Sequence, residues 1–311
     1  ELKKETVEHG SGATVPAEPT REGYHFTGWD ADFSNVTSDL MVTATFAINT
    51  YTVTFKNWDG NELKTEIVEH GSGATAPAEP TREGYHFTGW DADFSNVTSD
   101  LTVTAIFEIN DYTLTYTTGA NGSITGAATQ TVTHGSNGTA VTAVPDTGYH
   151  FVKWSDGVTT ATRTDENIRE NLSVTATFAI NTYTVTFKNW DGSELKKETV
   201  EHGSGATVPA EPTREGYHFI SWDADFSNVT SDLMVSATFA IDEYTVTYTA
   251  GTNGSITGTA TQTVSHGSDG TAVTAVPDTG YHFVKWSDDV TTATRTDENV
   301  TGNISVTAEF A

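Results

Sequence analysis

In Tyr51-Thr52-Val53-Thr54-Phe55 every second side chain is apolar, so Tyr51, Val53 and Phe55 share one face of an extended segment and the threonines take the other. A period of two marks a half-buried strand, because successive side chains on an extended backbone point to opposite sides. Leu101, Val103, Ala105 and Phe107 repeat the pattern against Thr102, Thr104 and Ile106. Between these strands, Glu62 to Val68 predicts a weaker one with Leu63, Thr65 and Ile67 on its apolar face. Tyr85 to Trp90 is an aromatic strand in which Tyr85 and Phe87 share a face; Trp90 lies either across a bulge or on the other face with His86. Asp59-Gly60 supplies a turn that tolerates positive φ, and Pro77 and Pro80 remove amide donors, leaving that stretch irregular. A second pattern opens with Tyr112, Leu114 and Tyr116 and continues through the hairpin signal Asn121-Gly122. Short strands at Gln130 to Thr133 and Thr139 to Ala143, the aromatic strand Tyr149 to Trp154, and Leu172, Val174, Ala176 and Phe178 complete it. Helical periodicity is confined to short windows, with room for a turn or two in Val158 to Arg169 and for one in Phe94 to Ser99. The expected fold class is mainly β.

Both patterns recur. The text of Tyr51 to Gly60 returns at Tyr183 to Gly192 and carries the following sequence with it, giving A-type repeats at 51–111 and 183–243 and B-type repeats at 112–182 and 244–311. Residues 1–50 form a partial A-type repeat lacking the opening strand, and residues 1–48 differ from 194–241 only at Thr27/Ile220, Gly28/Ser221 and Thr43/Ser236. Tandem repetition predicts an array of small modules, since a catalytic site usually draws unlike residues from across one large domain. At the junction Phe107-Glu108-Ile109-Asn110-Asp111-Tyr112 there is no Gly or Pro, and the alternation slips by one residue. A two- or three-residue link that breaks register sets a fixed rotation, so the modules are expected to form an elongated rod.

The chain carries 42 acidic residues against 15 Lys and Arg, a net charge of -27, which repels nucleic acid and anionic membrane surfaces. No stretch is long and apolar enough for a membrane-spanning helix. Glu1 to Glu5 has no signal-peptide pattern, but a chain that starts inside a repeat says nothing of targeting. Cysteine is absent, which removes thiolate chemistry and disulfides. Aromatic residues make up 11% of the chain, enough to fill several small cores.

The candidate chemistry is thin. Ten histidines fall into two sets, one before a glycine (His9, His70, His134, His202, His266) and one in the aromatic strand (His25, His86, His150, His218, His282). Two per repeat is short of the three or four converging ligands a metal site needs, so they read as duplicated strand-end residues. Asp91, Asp93 and Asn96, with their copies Asp223, Asp225 and Asn228, place oxygens at alternate positions as a calcium loop does. They lack that loop's glycine at position 6 and acid at position 12, so a solvated acidic turn is preferred over weak calcium binding, and no other cofactor is expected. Trp58 and Trp190 stand just before turns, where an indole either stacks on a sugar ring or covers the small core; the core reading is preferred. Nothing supports a nucleophile-base-acid triad, a carboxylate pair in a pocket or a phosphate-cradling loop, and no enzymatic activity is expected.

One run, Pro80-Thr81-Arg82-Glu83-Gly84-Tyr85-His86-Phe87-Thr88-Gly89-Trp90, together with Tyr-Thr-Val-Thr-Phe, Asp-Gly and Leu-Thr-Val-Thr-Ala, resembles the Listeria-Bacteroides repeat, the B-repeat of internalin B-type surface proteins. The B-type repeats, with Asn121-Gly122-Ser123-Ile124 and Gly148-Tyr149-His150-Phe151-Val152-Lys153-Trp154, resemble its divergent form. The resemblance covers essentially the whole chain. It implies small β-grasp-like modules on the bacterial cell surface or in secreted, extracellular proteins, where they separate adhesive domains from the cell wall. Ser221 departs from the family's Gly-Trp and puts in doubt only the need for glycine there. The expected function is a structural spacer or stalk, with carbohydrate or host-protein binding as the alternative. Partners would be neighbouring domains of the same surface protein. The incomplete first repeat leaves Leu40 to Phe46 without its usual partner strand, to be completed by upstream sequence in the first instance, or by strand addition from a neighbouring molecule.

Overall fold

The computed structural model describes residues 1–311 and is built from strands, turns and loops with no helix. The chain forms two compact units: Glu1–Thr118 with Ile124–Ala143 and Trp154–Ala176, and Gly119–Ser123 with Val144–Lys153 and Thr177–Ala311.

In the first unit, residues 50–109 make a four-stranded sheet in the order Glu62–Glu69, Thr50–Lys56, Leu101–Ile109, Tyr85–Trp90. The first and last strands in sequence lie side by side and parallel, Val53 opposite Leu101 and Lys56 opposite Thr104, while the outer two pair antiparallel to them. A parallel central pair flanked by antiparallel edges is compatible with the β-grasp-like arrangement that the resemblance implied. Val53, Phe55, Val68, Val97 and Val103 are buried, and Trp90 and Phe94 close over Phe55 with ring centroids 5.1 Å away in each case. The second unit repeats this sheet with Thr182–Lys188, Glu194–Glu201, Tyr217–Trp222 and Leu233–Ile241.

A bulge decides the position of Trp90. Phe87 faces Phe107 but Gly89 faces Ile106, so Thr88 is the extra residue and Trp90 returns to the face of Phe87, 5.3 Å from its ring. Ser221 makes the same bulge before Trp222, which shows that glycine is dispensable there.

The second strand faces the opposite way from the sequence expectation. Leu63 and Ile67 are 38% and 72% exposed, whereas Val68 joins the core. Long-range pairing sets this phase, with Val68 opposite Tyr51. The cost of turning Lys64 and Glu66 inward is offset by an ion pair between them and by a hydrogen bond from Lys64 Nζ to the Thr75 carbonyl at 2.6 Å.

The B-type repeat is larger. In residues 243–310 one sheet runs Thr261–Ser265, Glu243–Ala250, Ile304–Phe310, Phe283–Trp286, and a second runs Gly254–Thr257, Val273–Pro277, Thr294–Arg295. Trp286, Val246, Tyr248, Val273, Ala275 and Ala308 fill the space between them. Residues 112–182 show the same ladders, Asp111–Thr118 pairing antiparallel with Thr129–Thr133 and parallel with Leu172–Ile180. The Asn-Gly turn therefore does not close a hairpin: the strands before and after Asn253-Gly254 belong to different sheets. Asn253 takes φ of 72°, and a Cβ on Gly254 would stand 2.4 Å from the Phe310 ring, so this pair supports a sheet crossing over an aromatic floor. The stretch from Val158 to Arg169 holds no helical turn. It is drawn out into the strand Thr162–Arg163, which pairs with Val141 and Thr142, and Phe94 to Ser99 is likewise non-helical.

A buried polar network locks the B-type core. Arg163 Nη2 lies 2.9 Å from Asp156 Oδ2 and 2.5 Å from Asp165 Oδ1, and the Tyr116 hydroxyl donates to Asp165 Oδ2 at 2.6 Å. Arg295, Asp288, Asp297 and Tyr248 repeat the arrangement. Gln262 closes the adjoining loop, donating to the carbonyls of Thr259 and Thr271 at 3.0 and 2.8 Å and accepting from the Thr271 amide at 2.6 Å.

In residues 1–50 the sheet is reduced to Tyr24–Trp29 and Ala44–Ile48. The closing strand starts at Ala44 rather than at the position of Leu101 or Leu233, and Met41 is 89% exposed. Without the parallel neighbour, the Leu40 to Thr43 backbone has no ladder to join.

Candidate functional site

The two histidine sets meet at one place, the residue linking successive repeats. Leu101–Ile109 ends and Asp111–Thr118 begins with Asn110 alone between them, a shorter link than the two or three residues expected. The Asn110 amide donates to the Gly84 carbonyl of the repeat before it at 2.9 Å, and its own carbonyl accepts from the His134 amide of the repeat after it at 2.8 Å. Its side-chain oxygen accepts from His86 Nδ1 at 2.9 Å. One linking residue is thereby tied to both neighbours, each bond contributing about 1 kcal/mol net.

Local sequence places these groups. His134-Gly135 and Glu83-Gly84 are the corners of turns closed by hydrogen bonds from Ser136 to Thr133 and from Tyr85 to Arg82, with φ of 77° and 76° at the two glycines. A turn whose third residue needs positive φ selects glycine there. The turns then pack on each other: a Cβ on Gly84 would lie 2.2 Å from His134 Cδ2. Tyr112 holds the ring from the other side at 5.9 Å between centroids.

The same joint is built around Asn49 by Gly23, His25 and His70, around Asn181 by Gly148, His150 and His202, and around Asp242 by Gly216, His218 and His266. The corresponding Cβ-to-ring distances are 2.4, 2.3 and 2.3 Å. Asp242 replaces asparagine and accepts from His218 Nδ1 at 2.8 Å. At the third joint His202 Nδ1 is buried without a hydrogen-bond partner. Each joint lies within one of the two compact units. The Asn or Asp standing between strands is the signal that joins the two histidine sets, and it is visible only once both strand ends are known.

The aspartates among the calcium candidates already accept backbone amides of the closing strand or of their own turn. Asp91 Oδ1 accepts from the Thr104 amide at 2.6 Å and Asp93 Oδ1 from the Ser95 amide at 2.8 Å, with the Asp223 and Asp225 copies doing the same for Ser236 and Ser227. The Ser95 amide holds the Asp93 carboxyl below the usual range, as Ser227 does for Asp225. Asn96 and Asn228 lie beside the turn glycines Gly71 and Gly203. No group of three or more His, Asp or Glu side chains converges as metal ligands would.

Trp58 and Trp190 are 49% and 52% exposed, outside the core that the sequence reading preferred. The Asn57–Asn61 turn carries the Trp58 indole away from the sheet, and the guanidinium of Arg82 lies 4.4 Å from its centroid and 3.5 Å from that of Tyr85. Arg214 stands in the same way 4.6 Å from Trp190 and 3.5 Å from Tyr217. Two depressions of about 370 and 380 Å³ are lined, respectively, by Thr184, Lys197, Asp232 and Met234 and by Gln262, Ser265, Asp269 and Thr271 with their neighbours; neither contains a histidine.

The Listeria-Bacteroides repeat domain matches residues 1–46, 51–108 and 183–238, and the divergent InlB B-repeat domain matches residues 112–182 and 244–311. A protein of Evansella cellulosilytica described as a Gly-rich membrane protein is 29% identical over 243 residues, covering 70% of this chain and 28% of its own length. Internalin H of Listeria monocytogenes is 41% identical over 101 residues, 28% of this chain and 18% of that protein. Among solved structures, the Bacillus anthracis TIE protein covers 94% of this chain and 72% of its own, with 9% identity and a TM-score of 0.31. The chain spans 28% and 37% of the lengths of two Evansella relatives.

Proposed function

Because the chain belongs to the Listeria-Bacteroides repeat family and interleaves it with divergent InlB B-repeats, we propose that it is a non-enzymatic spacer in a bacterial cell-surface or secreted protein. The repeats 51–111, 112–182, 183–243 and 244–311 each act as one folding module in this reading, with 1–50 as a partial one. Their work is to hold neighbouring domains of the same protein at a set separation.

The observation that carries the reading is the joint. A linker of one residue whose amide, carbonyl and side chain are all bonded to the flanking repeats resists bending, since any swing breaks hydrogen bonds and drives the histidine ring into the facing turn. The acidic excess works in the same direction by opposing the folding back of one module on another.

Small-angle scattering on the whole chain tests this. A single compact body of this length has a radius of gyration of about 20 Å, and modules joined end to end about twice that. The larger value is expected, and the smaller one would remove the spacer reading.

A further inference from the structure

We propose that the stack Trp58–Arg82–Tyr85, with its copy Trp190–Arg214–Tyr217, is a binding site for a carboxylated sugar of the uronic or sialic acid class. The inference goes beyond the spacer role and does not depend on it.

Arg82 Cζ lies over the Tyr85 ring at 3.5 Å and over the Trp58 ring at 4.4 Å from the centroids, contacts that consume none of its N–H donors as hydrogen bonds to oxygen. In a chain with 42 acidic residues, Arg82 and Arg214 form ion pairs with none. At the first copy the adjoining Glu83 pairs with Arg169 at 2.8 Å and Asp59, beside Trp58, accepts from the Asn61 side chain at 2.6 Å; at the second, Asp191 beside Trp190 accepts from the Ser193 hydroxyl at 2.5 Å. A guanidinium fork without an acceptor matches a carboxylate in a bidentate arrangement.

The indole completes the site. Trp58 is held out from the sheet by its turn, where its own amide donates to Asn57 Oδ1 at 2.9 Å and Gly60 takes φ of 86°. The indole is half open, and its ring N–H has no partner within the chain. An aromatic face of this kind stacks on the C–H face of a pyranose, and the ring N–H suits a sugar hydroxyl. The B-type repeats carry Asp146-Thr147-Gly148-Tyr149 in place of Thr81-Arg82-Glu83-Gly84-Tyr85 and so lack the arginine. The first repeat keeps Arg21 over Tyr24 at 3.7 Å but has no counterpart of Trp58 within the chain. The stack thus occurs with both its indole and its arginine at two places in the chain.

The test is binding of the full chain to matched arrays of neutral and carboxylated oligosaccharides, with titration followed by tryptophan fluorescence. Binding to carboxylated members is expected. It should fall at least tenfold in Arg82→Lys/Arg214→Lys, which keeps the charge but loses the fork, and be lost in Trp58→Ala/Trp190→Ala. Melting curves establish that the variants are folded, and the wild-type titration needs no variant. Because the net charge of the chain opposes an anion at long range, affinity should not weaken as salt rises from about 0.01 to about 0.15 M. No binding to any carboxylated sugar at millimolar concentration, equal binding to the neutral counterparts, or full retention in both folded variants would each overturn the proposal.

Discussion

The His134 ring occupies the space that a side chain on Gly84 would need, its Cδ2 lying 2.2 Å from the place of a Cβ. One residue of the preceding repeat is thus shaped by the ring of the next, and the glycine answers two demands at once, positive φ and room for the ring.

Gly84→Ala should consequently be costly although nothing is removed. Holding an alanine in the left-handed region costs about 1–2 kcal/mol, and displacing His134 adds to it. In modules of this size a loss of 1 kcal/mol lowers the melting temperature by about 4–8 °C. A drop of that order or more in a thermal melt is expected for Gly84→Ala and Gly148→Ala, and unchanged melting would mean that the joint does not contribute to stability.

Gly89→Ser is the matching control. Serine already stands at this bulge as Ser221, with the ladder register unchanged. Circular dichroism melting of this variant should stay close to that of the parent chain, and a loss comparable to that of Gly84→Ala would show that the two A-type repeats do not tolerate the position alike.

Arg163 governs the acid limb of stability. Hydrogen bonds from Arg163 hold the Asp156 carboxyl below its usual range. At Asp165 burial pushes the other way and is outweighed by the bonds from Arg163 and Tyr116, so this carboxyl is lowered as well. A carboxyl with a folded-state pKa below its unfolded value contributes its stability above the unfolded value, about 3.9 for Asp, and loses it as pH falls through the lower folded one. Melting temperature should therefore fall steeply below about pH 4, and Asp165→Asn should flatten that limb while lowering stability at neutral pH. Arg163→Ala should cost about 3–5 kcal/mol by leaving buried acids unpaired, measured by urea unfolding; a loss below 1 kcal/mol would show that the network is dispensable.

Calcium is a fourth test. Asp91 already accepts an amide of the closing strand and Asp93 one of its own loop, so a bound ion would have to compete with those bonds. Millimolar calcium is expected to leave the melting temperature of the full chain unchanged, and isothermal titration should show no heat of binding. A stabilisation that vanishes in Asp93→Asn and Asp225→Asn would establish the loop as a calcium site.

By itself the sequence determined what is local. Alternation such as Tyr51, Val53, Phe55 is a property of neighbouring residues on one extended backbone, and glycine at positive φ, as at Gly60, is a property of one residue, so these strands and that turn were legible. Duplication made the order of repeats legible in the same way. What depends on partners far along the chain was decided only by tertiary structure. Leu63 and Ile67 face outward because the ladder sets Val68 opposite Tyr51; Trp90 turns inward because Thr88 is skipped against Phe107; and the Asn253-Gly254 turn leads to another sheet because Phe310 lies under it. The joint belongs to this second class most fully, since His86, Asn110 and His134 are spread over two repeats and become neighbours only when both have closed their sheets.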